Sequence, residues 1–176
     1  MAASEPVTEH VMLPGGVGVS RLCVYDTTGS PHIHLACAEA YVVIAGRGAV
    51  QTVTQDGFAE HSLEPGGLLT FTPGTVHRLI NHGGLEIVVL MANSGLPEAG
   101  DAVLTFPPDV LADADRYAEA VTLDGTLASA HRRRDLAIEG FGLLRETGLT
   151  AFYEAAIRLK QPLLDSWQRS DRKSVV

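Results

Sequence analysis

Hydrophobic positions along the first hundred residues come in short bursts punctuated by turn residues. VGVSRLCVYD, AYVVIAG, GAVQTVTQ, FAEHSL, LLTFT, TVHRLIN and LEIVVLMA are rich in Val, Ile, Leu and Thr, and GRG, QDG, EPGG, PGT and HGG separate them. This cadence predicts many short β-strands from about residue 17 to 93, arranged as a sandwich or barrel. Asp56-Gly57 between two such bursts signals a hairpin, because glycine supplies the positive φ of a tight turn. Beyond FPPDVL the rhythm lengthens, and residues 108–120, about 127–146 and about 150–168 read as helices. In the last of these Phe152, Ala156, Leu159, Leu163 and Trp167 recur at three- and four-residue steps and form one apolar face. Pro162 should kink or restart that helix, and Gly125 and Gly148 fit as stops between helices. Two regions are therefore expected, a β-barrel over 1–100 and a helical extension over 101–176. The extension is expected to pack against the barrel or a partner subunit, which suggests a homodimer.

Composition narrows the class. The chain has 176 residues, 45% of them hydrophobic and 19% charged, which suits a folded protein with a real core. Its formal charge of -8 disfavours nucleic acid, which needs a basic footprint to displace counterions. The charge is uneven. Residues 1–100 hold three cations (Arg21, Arg47, Arg78) against nine acids, whereas residues 101–176 hold ten cations against twelve acids. The start, MAASEPVTEHVML, lacks a basic stretch followed by an apolar core, so no secretory signal is expected. The longest apolar runs are too short to span a bilayer. Cys23 and Cys37 are the only cysteines and make no disulfide framework. A cytoplasmic protein follows as the expectation.

The candidate chemistry lies in PHIHLACAE, residues 31–39, and TPGTVHRLIN, residues 72–81. On a strand, residues i and i+2 face one side, so His32 and His34 can both point into a barrel. Glu39 follows after a short bend, and His77 can arrive on a neighbouring strand. Three imidazoles and a carboxylate suit a borderline first-row divalent ion and leave positions open to water, substrate or O2. An isolated His-x-His is more often an exposed polar edge, and only the full spacing carries weight: Gly29…His32-x-His34-x4-Glu39-x6-Gly46, then Gly66-x5-Thr72-x-Gly74-x2-His77-x3-Asn81. Cys37, between the ligands, reads as a packed thiol.

Both segments resemble the two signature motifs of the cupin superfamily over roughly residues 17–93. The resemblance implies a mainly β fold, a double-stranded β-helix (jelly-roll) barrel, here with a C-terminal α-helical extension. It implies His32, His34, Glu39 and His77 as ligands of one divalent transition metal ion (Fe, Mn, Ni, Co or Zn). Thr72 stands where the second motif usually carries proline, which affects the turn ahead of His77 and no ligand. The resemblance is silent about the helical tail.

Weaker candidates surround this set. Tyr41 shares the inward face with Glu39 and can serve as a catalytic acid–base phenol or as a core tyrosine with a bonded hydroxyl. His61 and His82 read as solvated. His131-Arg132-Arg133-Arg134-Asp135 can grip an anion, although a charge run on a helix is usually a solvated face. There is no Ser-His-Asp elbow, phosphate loop or dinucleotide fingerprint. The only lysines, Lys160 and Lys173, lie in the tail, so lysine chemistry inside the barrel requires the tail to reach in. Few arginines in the barrel count against a sugar-phosphate isomerase, although HRRRD in the tail could compensate. Leu35, Ala36, Val43 and Leu79 around the ligands suit a neutral or aromatic small-molecule ligand.

Fold alone does not decide function. The favoured expectation is a divalent-metal-dependent enzyme acting on an organic small molecule, with dioxygenase-type chemistry ahead of sugar or sugar-phosphate isomerisation or epimerisation. In the first, substrate and O2 bind at adjacent open positions. In the second, the metal polarises a carbonyl or hydroxyl while Tyr41 or a histidine moves the proton. The rival from another class is a non-catalytic binding or sensing cupin, for which the tail offers no helix-turn-helix support.

Overall fold

The computed structural model describes residues 10–13, 16–24, 27–92, 95–96 and 99–171. The first nine residues, where a secretory signal was looked for, and Lys173 lie outside them. The strands are β1 (His10–Leu13), β2 (Val17–Cys23), β3 (His32–His34), β4 (Glu39–Thr54), β5 (Gly57–Leu63), β6 (Leu68–Phe71), β7 (Val76–Met91) and β8 (Ala102–Leu104). The helices are α1 (Pro108–Leu111), α2 (Ala114–Val121), α3 (Leu127–Thr147), α4 (Thr150–Lys160) and α5 (Leu164–Asp171), with a 3-10 turn over Gln161–Leu163. The chain thus folds as a mostly antiparallel β-barrel with helices at its C-terminal end.

Two strands dominate. AYVVIAG and GAVQTVTQ, which read as separate strands, are one continuous β4 of sixteen residues, and TVHRLIN joins LEIVVLMA as β7 of the same length. The turn residues between them produce bends, not chain reversals. β4 and β7 pair antiparallel from Glu39↔Met91 to Val53↔Val76, with irregularities between Val43 and Gly48. Gly46 makes the bend possible: its φ is +67°, and a Cβ there would lie 2.0 Å from the Gly84 carbonyl oxygen on the facing strand. Asn81 pins the other side. Its amide donates to the Val24 carbonyl at 2.9 Å, and its side-chain oxygen accepts the Gly83 and Leu85 N–H groups at 2.8 and 3.0 Å. β5 and β6 pair with β4, and β2 and β3 pair with β7. The hairpin forms where expected, but Gln55 and Asp56 make the turn and Gly57 already pairs with Thr54.

β8 and Asp101, which the change of rhythm assigned to the helical region, pack on the barrel: β8 pairs with β3 through His32↔Leu104, Ile33↔Val103 and His34↔Ala102. The helix expected over 108–120 is two helices, because Asp113 breaks out of α1 and caps α2 by accepting the Asp115 and Arg116 N–H groups. Pro162 falls in the 3-10 turn that separates α4 from α5, and Gly148 closes α3, both as the sequence implies.

Among the described residues two large apolar cores result, with a smaller cluster around Cys37, Leu96 and Trp167. One fills the barrel, with Tyr41, Val43, Val50, Phe71, Leu85 and Ile87 among its members. The other lies between the barrel wall and the helices, where Ile33, Val76, Val103 and Phe106 meet Phe141 and Phe152. β3 connects them, since alternation turns Ile33 toward the helices and His32 and His34 the other way. Polar ties reinforce this packing: Thr105 Oγ1 donates to the Ala137 carbonyl at 2.8 Å, and Tyr153 Oη donates to the Gly74 carbonyl at 2.7 Å. Trp167 Nε1 donates to the Ala99 carbonyl at 3.1 Å.

Helix and barrel approach closely at Gly140, where a Cβ would sit 2.0 Å from the Thr105 carbonyl oxygen and 2.5 Å from the Phe106 carbonyl carbon. Gly142, on the same helix, faces open space. Gly140→Ala is expected to cost about 1–3 kcal/mol by prying α3 off the barrel. Gly142→Ala should gain up to about 1 kcal/mol of helix propensity. Calorimetric melting of the two variants checks the opposed signs, and equal shifts would disprove this docking of α3.

Candidate metal centre

β3, β4 and β7 bring the sequence-selected polar residues to one end of a cavity of about 420 Å³. His32 pairs directly with His77 across β3 and β7, so register alone places their rings side by side, centroids 4.4 Å apart. Glu39 comes from the start of β4, and its Oε2 lies 3.1 Å from His77 Nε2. One ligand-type atom from each of His32, Glu39 and His77 lies within 4.8 Å of the others. His34 stands slightly outside this trio, its Nε2 3.8 Å from Glu39 Oε2, and lines the same cavity.

Each imidazole is oriented through its other nitrogen. His32 Nδ1 lies 2.8 Å from the Ser30 carbonyl, His77 Nδ1 3.0 Å from the Thr75 carbonyl, and His34 Nδ1 3.0 Å from Asp101 Oδ2. Carbonyl oxygens only accept, so His32 and His77 must carry their proton on Nδ1 to make these bonds, and a neutral ring then presents an Nε2 lone pair. Phe71 stacks on the His77 ring at 4.7 Å with planes 10° apart and limits its rotation.

The donor set fits a divalent cation on its own geometry. Glu39 Oε2 and His77 Nε2 are both buried and lack a hydrogen-bond partner of acceptable geometry, although they face each other. Two buried acceptors held this way are costly unless something positive sits against both. Their 3.1 Å separation is about that of two donors each ~2.1 Å from a shared ion at a right angle.

Without such an ion, a proton must do the balancing. Burial by itself pushes the His77 imidazole down, but the Glu39 carboxylate beside it outweighs burial and raises its pKa. Burial likewise pushes Glu39 up, while His77 and then the other imidazoles overcome it and hold the carboxyl at about 2. His32 behaves oppositely. Desolvation, helped by its two histidine neighbours, lowers it to about 3, so it stays neutral and its lone pair available. Burial first and the negative charge of Glu39 second raise the Tyr41 phenol well above its ordinary range. Tyr41 is therefore a neutral donor at physiological pH.

Asp101 is the residue that spacing could not reveal. It is fully buried, accepts the Leu35 and Ala36 N–H groups at 2.9 Å each, and takes His34 Nδ1 on its other oxygen. Burial would raise its pKa, but bonds from His34, Cys37 and the Ala36 amide prevail and hold it below the usual range. Lys160, at the end of α4, is also buried; burial lowers its pKa and the Asp101 charge works against that. The tail lysine thus reaches the barrel edge near Asp101 without lining the cavity.

Other expectations divide. Cys37 is a buried thiol, as its neighbours suggested, and Cys23 is exposed. His61 and His82 are exposed. Of the four apolar residues expected around the ligands only Leu79 lines the cavity. Val43 sits in the barrel core, and Leu35 and Ala36 pack behind the site. The charge run also splits. Arg132 pairs with Asp124 and Arg134 with Asp135, as a solvated face would, whereas Arg133 lines the cavity beside Tyr117 and Val121.

Residues 22–93, which hold all four candidate ligands, match the family described as the cupin domain. Over 81 residues it is 35% identical to a glucose-6-phosphate isomerase of Pyrococcus furiosus, a match covering 46% of this chain and 41% of that protein. The chain thus spans less than half the length of that relative. Among solved structures it is similar to a conserved protein with a double-stranded β-helix domain from Klebsiella pneumoniae, at 19% identity and a TM-score of 0.45, covering 54% of this chain and 83% of that one. It is also similar to KdgF from Halomonas sp., at 16% identity and a TM-score of 0.44, covering 55% and 90%. Cupins commonly bind a metal, and the His-Glu-His cluster is a possible site for one.

The depressed His32 pKa has a consequence for stability. The unfolded chain binds a proton at His32 below about pH 6.5, whereas the folded chain refuses it until about pH 3. Between these values the unfolded state holds more protons, so stability falls as pH falls. Chelator-treated protein is expected to lose about 1–2 kcal/mol between pH 7 and 5 from this residue. Urea unfolding at several pH values should show a flatter profile for His32→Asn. Parallel profiles for the two proteins would contradict the assignment.

Proposed function

We propose that the chain is a divalent-metal-dependent cupin enzyme acting on a small organic molecule, with His32, His34, Glu39 and His77 as the metal ligands. The observation that carries this reading is the buried pair Glu39 Oε2 and His77 Nε2, 3.1 Å apart and facing each other beside His32 in an otherwise largely apolar cavity. A bound first-row ion would supply Lewis acidity and open positions at which substrate and O2 can meet. The chain's own contribution is orientation and exclusion of water. Asp101 and the Ser30 and Thr75 carbonyls aim the three imidazoles. Leu22, Val24, Leu79 and Met91 provide an apolar wall for the organic body.

Dioxygenase-type chemistry is the favoured version. Among the described residues lining the cavity, every group able to take a proton near neutral pH is one of the four candidate ligands. Tyr41, whose phenol is held neutral, is proposed as a hydrogen-bond donor to substrate or to Glu39 and not as a base. Isomerisation is the second reading, favoured by the 35% identity to the Pyrococcus furiosus glucose-6-phosphate isomerase. The reading also takes the protein to be a cytoplasmic homodimer. Leu127, Leu143 and Ile157, exposed on α3 and α4, are consistent with a helix-mediated contact, and among the described residues no helix is long and apolar enough to cross a membrane.

Protein purified without chelators is expected to carry close to one divalent ion per chain by mass-spectrometric metal analysis. His77→Ala should lose that ion and at least about 100-fold in turnover, the scale of removing a ligand or its essential support. Oxygen uptake over a panel of aromatic and keto substrates supports the dioxygenase version, and interconversion of aldose and ketose without oxygen uptake supports the isomerase. A wild type that holds no metal and gains no melting temperature from added divalent ions refutes the enzyme reading. Stoichiometric metal with ligand binding and no turnover marks a sensor.

A further inference from the structure

The helical extension completes the cavity as well as covering the barrel. Tyr117 and Val121 on α2 and Arg133 on α3 form the wall that the barrel strands leave open. Arg133 is the one cation, and Glu39 the one acid, among the described residues lining this space. Of three consecutive arginines, Arg132 and Arg134 each pair with an aspartate, and Arg133 has no acidic partner among the described residues. Its Nε is buried without a hydrogen bond, and Nη1 makes only a long 3.5 Å contact with the Val121 carbonyl. A guanidinium offers five N–H donors in a planar fork matched to two oxygens, so an unfilled edge in a cavity calls for an oxyanion. Tyr117 stands beside it. Its hydroxyl accepts the Leu104 N–H at 3.2 Å, which leaves its own proton free to donate.

We infer that the cavity binds a small organic anion whose carboxylate or phosphate is gripped by Arg133 and Tyr117 while its apolar body lies along Leu79, Leu104 and Val121. With a divalent ion held by the candidate ligands, the cavity is net positive, since Glu39 alone among the described lining residues offsets both charges. This names the substrate class for the proposed metal-dependent reaction and rests on that reading only for the far end of the ligand. The helical tail is then part of the specificity machinery, and Arg133 of the HRRRD run compensates for the scarcity of arginines in the barrel.

Calorimetric titration of the full chain, chelator-treated and zinc-loaded, with benzoate, phenyl phosphate and neutral benzyl alcohol tests the inference. The wild type should bind at least one of the two anions, and the preferred anion identifies the oxyanion. Arg133→Gln should weaken that anion about tenfold or more, the scale of a lost charge-assisted pair, and leave benzyl alcohol unchanged. Tyr117→Phe, which removes only the hydroxyl, should weaken it about threefold or more and provides the test if Arg133→Gln fails to fold. Arg132→Gln, on the exposed face, should bind as the wild type does. Binding of neither anion by the wild type, or anion affinity unchanged in both cavity variants, overturns the inference. Arg133-dependent anion binding in protein that takes up no metal leaves it standing and removes the metal reading, whereas stoichiometric metal without an anion grip does the reverse.

Discussion

Everything at this site depends on the coiling of one antiparallel ladder. Glu39 and His77 sit at opposite ends of the β4–β7 pairing, Glu39 opposite Met91 and His77 opposite Thr52. On a flat ribbon those two rungs would be roughly 43 Å apart. In the folded chain the carboxylate and imidazole meet at 3.1 Å. The difference is produced by strand twist, by the irregular pairing between Val43 and Gly48, and by Gly46, where no side chain fits against Gly84. Barrel closure and assembly of the candidate centre are therefore the same event.

Coiling brings acceptors together, and acceptors repel unless something positive is shared. The chain handles this with a graded set of protons and donors. Asp101 balances its buried charge with His34, two backbone amides and Cys37, and Lys160 approaches from the helices. Glu39 has the three imidazoles, and its Oε2 faces His77 Nε2 at 3.1 Å and His34 Nε2 at 3.8 Å. The outer carboxylate is surrounded by donors, whereas the inner one depends on the imidazoles beside it.

The helices enter the same electrostatic scheme. α4 carries Lys160 toward Asp101, and α3 carries Arg133 into the cavity. Their docking is tight enough at Gly140 that no Cβ fits, so the position of Arg133 is tied to the packing of a whole helix on the barrel wall. A charge run that reads as three equivalent solvated arginines becomes, once the helix is rotated into place, two surface ion pairs and one inward guanidinium.

The amino-acid sequence by itself determined the strand cadence, the switch to helical rhythm, and the pairing of His32 with His34 on one face, because periods of two and 3.6 are local properties of the backbone. Motif spacing was enough to pick out His32, His34, Glu39 and His77 as residues that meet. It could not show that β4 and β7 are each one long bent strand, since the glycines that mark a chain reversal also mark a bend. Nor could it single out Asp101 or Arg133. Asp101 belongs to no local pattern, the charge run does not tell which of its arginines turns inward, and each role comes from what lies across the fold: His34 sixty-seven residues before Asp101, and the cavity that Arg133 lines. Tertiary structure decided those two positions because buried charge and cavity shape are set by residues distant in sequence.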